Sequence, residues 1–142
     1  MILGINPYII CNGNGQEAVK FYEQVLEAQV LGIQTFGDMP ANPDYPTPPE
    51  AQDRVLHAHL KIGQTDLMIS DTFPGQPFEI GTHLNISVTT NDPEKTKKVF
   101  NGLGEGGKVV MPLQETFWSP AYGTVTDKFG VTWQVSTHVE KA

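Results

Sequence analysis

The sequence has a single cysteine, few basic residues and no long hydrophobic run. Because Cys11 is the single cysteine, no intramolecular disulfide can form and a packed core must supply the stability, as is usual in a reducing compartment. Nine Lys and Arg against 16 Asp and Glu give a net charge of −7, which argues against nucleic acid or anionic lipid as a partner. No stretch approaches the roughly 20 apolar residues that cross a bilayer, and the first residues lack a basic signal-peptide start. We therefore expect a cytoplasmic protein without nucleic-acid or membrane partners.

The length of 142 residues suits one compact domain, which we expect to span residues 1–142. The 14 glycines and 11 prolines divide the chain into short elements joined by turns. This composition favours strands over long helices.

Two helices are indicated by apolar residues at helical spacing. The first is predicted at 16–26, and the second begins at Pro93, after Asp92 as its N-cap, and runs to about Leu103. The predicted core-facing residues of the first helix are Ala18, Phe21, Tyr22, Val25 and Leu26. Those of the second helix are Val99, Phe100 and Leu103.

Each predicted helix follows one strand and precedes three more, so the chain reads as the same unit written twice. The predicted strands are 7–11, 29–36, 54–62, 66–70, 83–89, 108–112, 122–126 and 131–136. Ile62-Gly63 in the first half matches Phe129-Gly130 in the second. The last three strands of each unit are joined by turns too short for a parallel crossover, which predicts mainly antiparallel sheets. The fold class is therefore α+β, with two tandem βαβββ modules at about 1–75 and 80–142.

Residues 37–53 contain five prolines and few apolar side chains, so they cannot form a central strand. We interpret them as a surface loop, which is either a simple connection or a lid over a site. Tyr45 is the residue of interest in this loop if the loop is a lid.

Several motifs, in this order and spacing, resemble those of the vicinal oxygen chelate superfamily, and within it the PhnB-like proteins of the glyoxalase and bleomycin-resistance type. They are Pro7-Tyr8, Asn12-Gly13-Asn14, Phe21-Tyr22, His57-Ala58, Leu67-Met68-Ile69-Ser70-Asp71, Trp118, Tyr122-Gly123, Asp127, Phe129-Gly130 and Trp133. The resemblance implies that the sheets of the two modules curl into an open cup, with helices outside and a small-molecule ligand within. It also implies a homodimer.

The same resemblance implies a metal site with one ligand on the first strand and one on the last strand of each module. The second module supplies His83 and Gln134 at these positions, while the first supplies Pro7 and Met68, or Leu67. Proline offers no donor atom, and a thioether is too soft for the divalent ions that such enzymes use. The implied site is incomplete, so no cofactor is assigned and a divalent metal stays open. His57 and His59 lie two apart on a predicted strand, and such a pair can bind Zn or Fe.

Two interpretations remain open for each group of candidate ligand-binding residues. His57 and His59 either form a polar strand face opposite buried Leu56, Ala58 and Leu60, or line the cavity. The segment 115–123 is either a loop held to the core by Phe117 or a pocket wall that offers Glu115, Trp118 and Tyr122. His83 is either a surface histidine or a ligand. Trp133 and Cys11 are predicted in the core.

Two functional classes follow from the resemblance, and whether the chain is an enzyme stays open. The missing metal ligands favour a protein that binds a small organic molecule in the cup. The alternative is a divalent-metal-dependent lyase, isomerase, dioxygenase or thiol transferase. Proteins of this type also carry the name demethylubiquinone methyltransferase, but the sequence has no glycine-rich loop or room for a Rossmann sheet to support that activity.

Overall fold

The computed structural model describes residues 1–40, 44 and 46–139, and it divides into two units, Met1–Phe78 and Glu79–Ala142. Tyr45 lies outside the described residues. The elements of the first unit are β1 (Tyr8–Cys11), α1 (Gly15–Val25), β2 (Gln29–Thr35), β3 (Val55–Ile62) and β4 (Thr65–Asp71). Those of the second unit are β5 (Ile86–Thr90), α2 (Pro93–Gly104), β6 (Lys108–Gln114), β7 (Tyr122–Thr126) and β8 (Thr132–Thr137).

Both units have the same topology. The first sheet has the strand order β1-β4-β3-β2 and the second has the order β5-β8-β7-β6. In each sheet the first strand pairs in parallel with the last, and the other pairings are antiparallel. The predicted α+β fold of two tandem βαβββ modules is confirmed. None of the helices in the described part of the chain is long and apolar enough to span a bilayer.

The glycines that mark the repeat occupy matching turns. Gly63 lies between β3 and β4 with φ of 58°, and Gly130 lies between β7 and β8 with φ of 88°. An L side chain is strained in this left-handed region, so glycine closes both turns without steric strain.

The second helix begins and packs as predicted, and the first differs in detail. Asp92 accepts a hydrogen bond from the backbone N–H of Glu94, and Val99, Phe100 and Leu103 are buried. In α1, Ala18 and Tyr22 are buried as expected. Val19 is also buried, whereas Phe21 and Val25, which were predicted to face the core, are only half-buried. The buried stripe of α1 is therefore rotated by part of a turn from its predicted position.

The described part of the 37–53 segment contains no strand, in agreement with its proline content. Two short 3₁₀ helices lie at its borders, at Phe36–Asp38 and Pro49–Ala51. Ala51 is completely buried, so the end of this segment packs into the core just before β3.

Asp71 connects three parts of the first unit through its buried carboxylate, which lies at the end of β4. Its oxygens accept hydrogen bonds from the backbone N–H groups of Gly13, Gly15 and Val55 at 2.8, 2.9 and 2.7 Å. The turn before α1 thus directs two of its N–H groups at a carboxylate of the protein itself. Asp71 fixes this turn and the start of β3 to the sheet.

Asp127 has a similar role in the second unit, where it directly follows β7. Its carboxylate accepts from Trp133 Nε1 at 2.8 Å, and from the backbone N–H groups of Phe129 and Val131 at 2.9 and 3.1 Å. Trp133 is buried, as predicted. A buried carboxylate therefore holds the β7–β8 turn and the indole ring together.

Candidate functional site

The second sheet carries its candidate site on the face opposite α2, which we call the second open face. Gln134 alternates along β8 with buried Trp133 and Val135, so its side chain points away from the helix. Across the sheet, Gln134 is paired with Ser87 on β5 and with Thr124 on β7. These residues form a row of neutral polar side chains.

A chain of hydrogen bonds orients the Gln134 amide on this face. Tyr122 Oη donates to Gln134 Oε1 at 3.1 Å, and Gln134 Nε2 donates to Asn85 Oδ1 at 3.3 Å. In this arrangement both ends of the Gln134 amide are hydrogen-bonded to side chains of the same face. The arrangement leaves the Tyr122 oxygen as an acceptor and Asn85 Nδ2 as a donor toward a bound molecule.

Two further aromatic rings extend from Tyr122, a member of this polar chain. Trp118 lies edge-to-face against Tyr122, with ring centroids 5.3 Å apart, and against Phe117 at 4.8 Å. Trp118 is 56% exposed and Phe117 is 98% exposed. Because such large apolar surfaces are normally covered, this aromatic cluster is a candidate surface for binding another molecule.

The loop that carries the cluster is not held by Phe117, so that interpretation of segment 115–123 was wrong. Ser119 anchors it instead: the residue is 3% exposed, and its hydroxyl accepts from the backbone N–H of Thr137 and lies within donating distance of the carbonyl oxygens of Ala121 and Thr137. A small hydroxyl residue satisfies buried backbone groups that a phenyl ring cannot. The anchoring leaves both aromatic side chains in solvent.

The corresponding face of the first sheet, opposite α1, holds two pairs of polar side chains, and we call it the first open face. Tyr8 Oη lies 3.4 Å from His57 Nδ1, and His59 Nε2 lies 2.8 Å from Asp66 Oδ1. Both histidines are half-buried, while Ala58 and Leu60 on the other side of β3 are fully buried. The predicted pattern on β3 is therefore reproduced at Ala58 and Leu60, whereas Leu56, also expected to be buried, is only half-buried.

The remaining predicted residues lie outside these clusters. Glu115 is exposed and directly follows β6. His83 is exposed and precedes β5 by three residues, so it is not on the strand as expected. Tyr8 is paired with Met68 in the first unit, and Ser87 is paired with Gln134 in the second. The two pairs occupy corresponding positions in their sheets.

Asn85 is the residue that sequence reasoning missed. It completes the hydrogen-bond chain with Gln134, and it lies one residue before β5. The only available signal was its position beside the strand, and that signal depended on knowing where the strand begins.

The donor atoms at the implied metal positions do not fit a hard divalent ion. In the first unit the paired positions hold a phenol and a thioether, from Tyr8 and Met68. In the second unit they hold a hydroxyl and an amide, from Ser87 and Gln134, and that amide is already hydrogen-bonded at both atoms. Such ions prefer carboxylate oxygens and imidazole nitrogens. Among the described residues, no group of three or more His, Cys, Asp or Glu could hold a metal.

Comparison with known proteins agrees with this fold. The chain is 33% identical over 139 residues to protein YjdN of Escherichia coli K12, covering 93% of each protein. The crystal structure of protein PA1353 from Pseudomonas aeruginosa has a TM-score of 0.85 and 38% identity, covering 98% of this chain and 100% of that one. A PhnB protein from Bacillus cereus, also named a 3-demethylubiquinone-9 3-methyltransferase, has a TM-score of 0.76 and 24% identity, covering 94% and 98%.

The model of one protein family matches almost the whole chain, from residue 4 to residue 135. That match confirms the resemblance drawn from the motifs. The chain belongs to the glyoxalase/bleomycin resistance protein/dioxygenase superfamily.

Proposed function

We propose that this protein binds a small, uncharged organic molecule on the second open face. The observation that carries the proposal is the hydrogen-bond chain of Tyr122, Gln134 and Asn85 beside the exposed ring of Trp118. Small-molecule sites combine apolar and aromatic surface with a few oriented polar groups, and this face has both.

The polar groups of the second open face indicate which class of ligand it can bind. These groups are a phenol, two amides and two hydroxyls, from Tyr122, Gln134, Asn85, Ser87 and Thr124. An anion would find no cation among them to balance its charge, whereas a neutral ring with carbonyl or N–H groups can be stacked and hydrogen-bonded together.

We also keep His57 and His59 in the first unit, and Glu115 in the second, as candidate ligand-binding residues, each within its own unit. The two histidines are half-buried on the first open face, and Glu115 is exposed close to the aromatic cluster in sequence. Each offers a polar atom at the surface. These residues are secondary to Trp118 and Tyr122, which supply the oriented contacts.

Two substitutions test the ligand proposal. Native mass spectrometry of the purified protein should show an added small-molecule mass, and tryptophan fluorescence should be quenched by neutral heteroaromatic compounds. Tyr122→Phe removes one hydrogen bond and should weaken binding about fivefold to tenfold. Trp118→Ala removes the stacking surface and should weaken binding at least tenfold.

Thr126→Val is the matched control, since it also removes a hydroxyl from β7, at the end of the strand away from Tyr122, where the Thr126 hydroxyl is hydrogen-bonded to Thr132 at 2.8 Å. Its ligand occupancy should equal that of the unmodified protein. Equal occupancy in Trp118→Ala and Tyr122→Phe would show that the ligand binds elsewhere.

We also propose that the protein works as a homodimer. The superfamily resemblance suggests a second copy, and β6, at the edge of its sheet, presents exposed apolar side chains that a partner strand could cover: Val109, Val110 and Met111. Exposed apolar edge strands tend to pair with other chains.

Light scattering tests this second proposal. The unmodified protein should have about twice the chain mass of 15.6 kDa. Val110→Lys places a charge on the β6 edge and should shift the mass toward one chain, because burying an unpaired ammonium is costly. Val139→Lys, at another exposed valine outside the strands, is the control and should leave the dimer intact. A monomeric unmodified protein would contradict the proposal.

A further inference from the structure

The first open face contains a methionine, Met68, on the strand next to the one that carries His57 and His59. Met68 on β4 is paired with Tyr8 of β1 on one side and with His59 of β3 on the other. Directly opposite residues in a sheet share a face, with Cβ atoms about 5 Å apart. Met68 therefore shares the face of His59, and its thioether is within reach of that ring.

His57 approaches the same methionine from the other side. It lies two residues before His59 on β3, so it shares the face. Its Nδ1 is 3.4 Å from Tyr8 Oη, although β4 separates β1 from β3 in the sheet. The contact can form only if the two side chains meet over β4. Because Tyr8 is paired with Met68, the His57 side chain crosses β4 toward the position of Met68.

Each imidazole is oriented by a polar partner at one nitrogen. Asp66 Oδ1 lies 2.8 Å from His59 Nε2, so a proton on Nε2 leaves the lone pair on Nδ1. When His57 Nδ1–H donates to the Tyr8 oxygen, the lone pair is on Nε2. Metal-binding histidines characteristically hold their second nitrogen in this way, with a carboxylate or another acceptor fixing the tautomer.

We propose that His57, His59 and Met68 form a binding site for Cu(I). Two neutral imidazoles and a thioether are soft donors, which suit Cu(I) better than Zn, Mg or Mn. One carboxylate, that of Asp66, adjoins the ligands and balances a single positive charge. The site lies entirely within the first unit, and it does not depend on the organic ligand proposed for the second open face.

Anaerobic competition with the chromophoric chelator bathocuproine disulfonate, using Cu(I) kept reduced by ascorbate, tests the site. The protein should retain one Cu(I) per chain, with sulfur and nitrogen neighbours in X-ray absorption. Met68→Leu keeps the volume but removes the sulfur and should weaken Cu(I) binding by about tenfold or more. Asp66→Asn should weaken it by about tenfold, as is typical when the partner of a metal-binding histidine is lost.

Two control variants separate this site from other sulfur atoms. Met111→Leu removes an exposed thioether of the second unit and should leave Cu(I) binding unchanged. Cys11→Ser should also retain it, because Cys11 is buried and alternates with Tyr8 and Ile10 toward the opposite side of β1. The proposal is overturned if the chelator removes all the Cu(I), or if Cu(I) is lost in Cys11→Ser but kept in Met68→Leu.

Discussion

Replacement of Asp71 with alanine is expected to destabilise the protein by about 3 kcal/mol or more, since three backbone N–H groups lose their acceptor at once. Each buried donor left unsatisfied costs roughly 1–3 kcal/mol, and the exposed turn at Gly13 can recover part of this by binding water. Proteins of this size are stable by only about 5–15 kcal/mol. The expected destabilisation is therefore a large fraction of the total free energy of unfolding.

Urea unfolding, followed by circular dichroism, measures the effect of Asp71→Ala. Asp71→Asn keeps one acceptor oxygen and should fall between the alanine variant and the unmodified protein. Asp53→Ala, at an exposed aspartate just before β3, is the control and should change the free energy of unfolding by less than about 0.5 kcal/mol. If Asp71→Ala and Asp53→Ala unfold at the same urea concentration, the three hydrogen bonds do not stabilise the fold.

The second large effect is expected for Gly107→Ala, at the connection between α2 and β6. A methyl group at Gly107 would contact the backbone carbonyl oxygen of Thr126 and lie 2.9 Å from Asp127 Cα. Neither neighbour is a flexible side-chain end, so the strands themselves must move. The first pair of the β6–β7 ladder, Lys108 with Thr126, is next to this contact. Overpacking of this kind typically costs about 1–3 kcal/mol, and we expect the upper end of that range.

Gly32→Ala is the matched control for this substitution, because a methyl group there has no neighbour within 4 Å. Gly32 also lies in a strand, β2, where alanine replaces a more flexible residue. The free energy of unfolding of the Gly32→Ala protein should equal or slightly exceed that of the unmodified protein. Thermal unfolding of the two variants side by side gives the comparison, and a Gly107→Ala protein as stable as Gly32→Ala would contradict the predicted clash.

Local patterns in the sequence were sufficient to predict the repeated order of elements. The Asp92 cap and the buried residues Val99, Phe100 and Leu103 depend on neighbours within a few positions. The Asp71 hydrogen bonds were not predicted, because Gly15 and Asp71 are 56 residues apart and only the folded sheet brings them together. Propensity and periodicity describe neighbours along the chain and not such contacts.

The site was predicted less well than the fold for a related reason. His83 was aligned with the first strand, but β5 begins at Ile86, so a three-residue error changed which side chain faces Gln134. A shift in register changes the face and the neighbours of every residue in a strand. Tyr122 and Gln134 lie on strands that were predicted closely, and they do meet. Their roles in binding remain predictions.

The strand order has a consequence for folding during synthesis. In each unit the last strand to be made occupies an inner position, between the first strand and the third. The first strand cannot find its partner until about 60 further residues have left the ribosome, since Cys11 pairs with Asp71. Contacts so distant along the chain form slowly. Until β4 is synthesised, β1 has no strand to pair with and the first sheet is incomplete. The same delay applies in the second unit to β5, which pairs with β8.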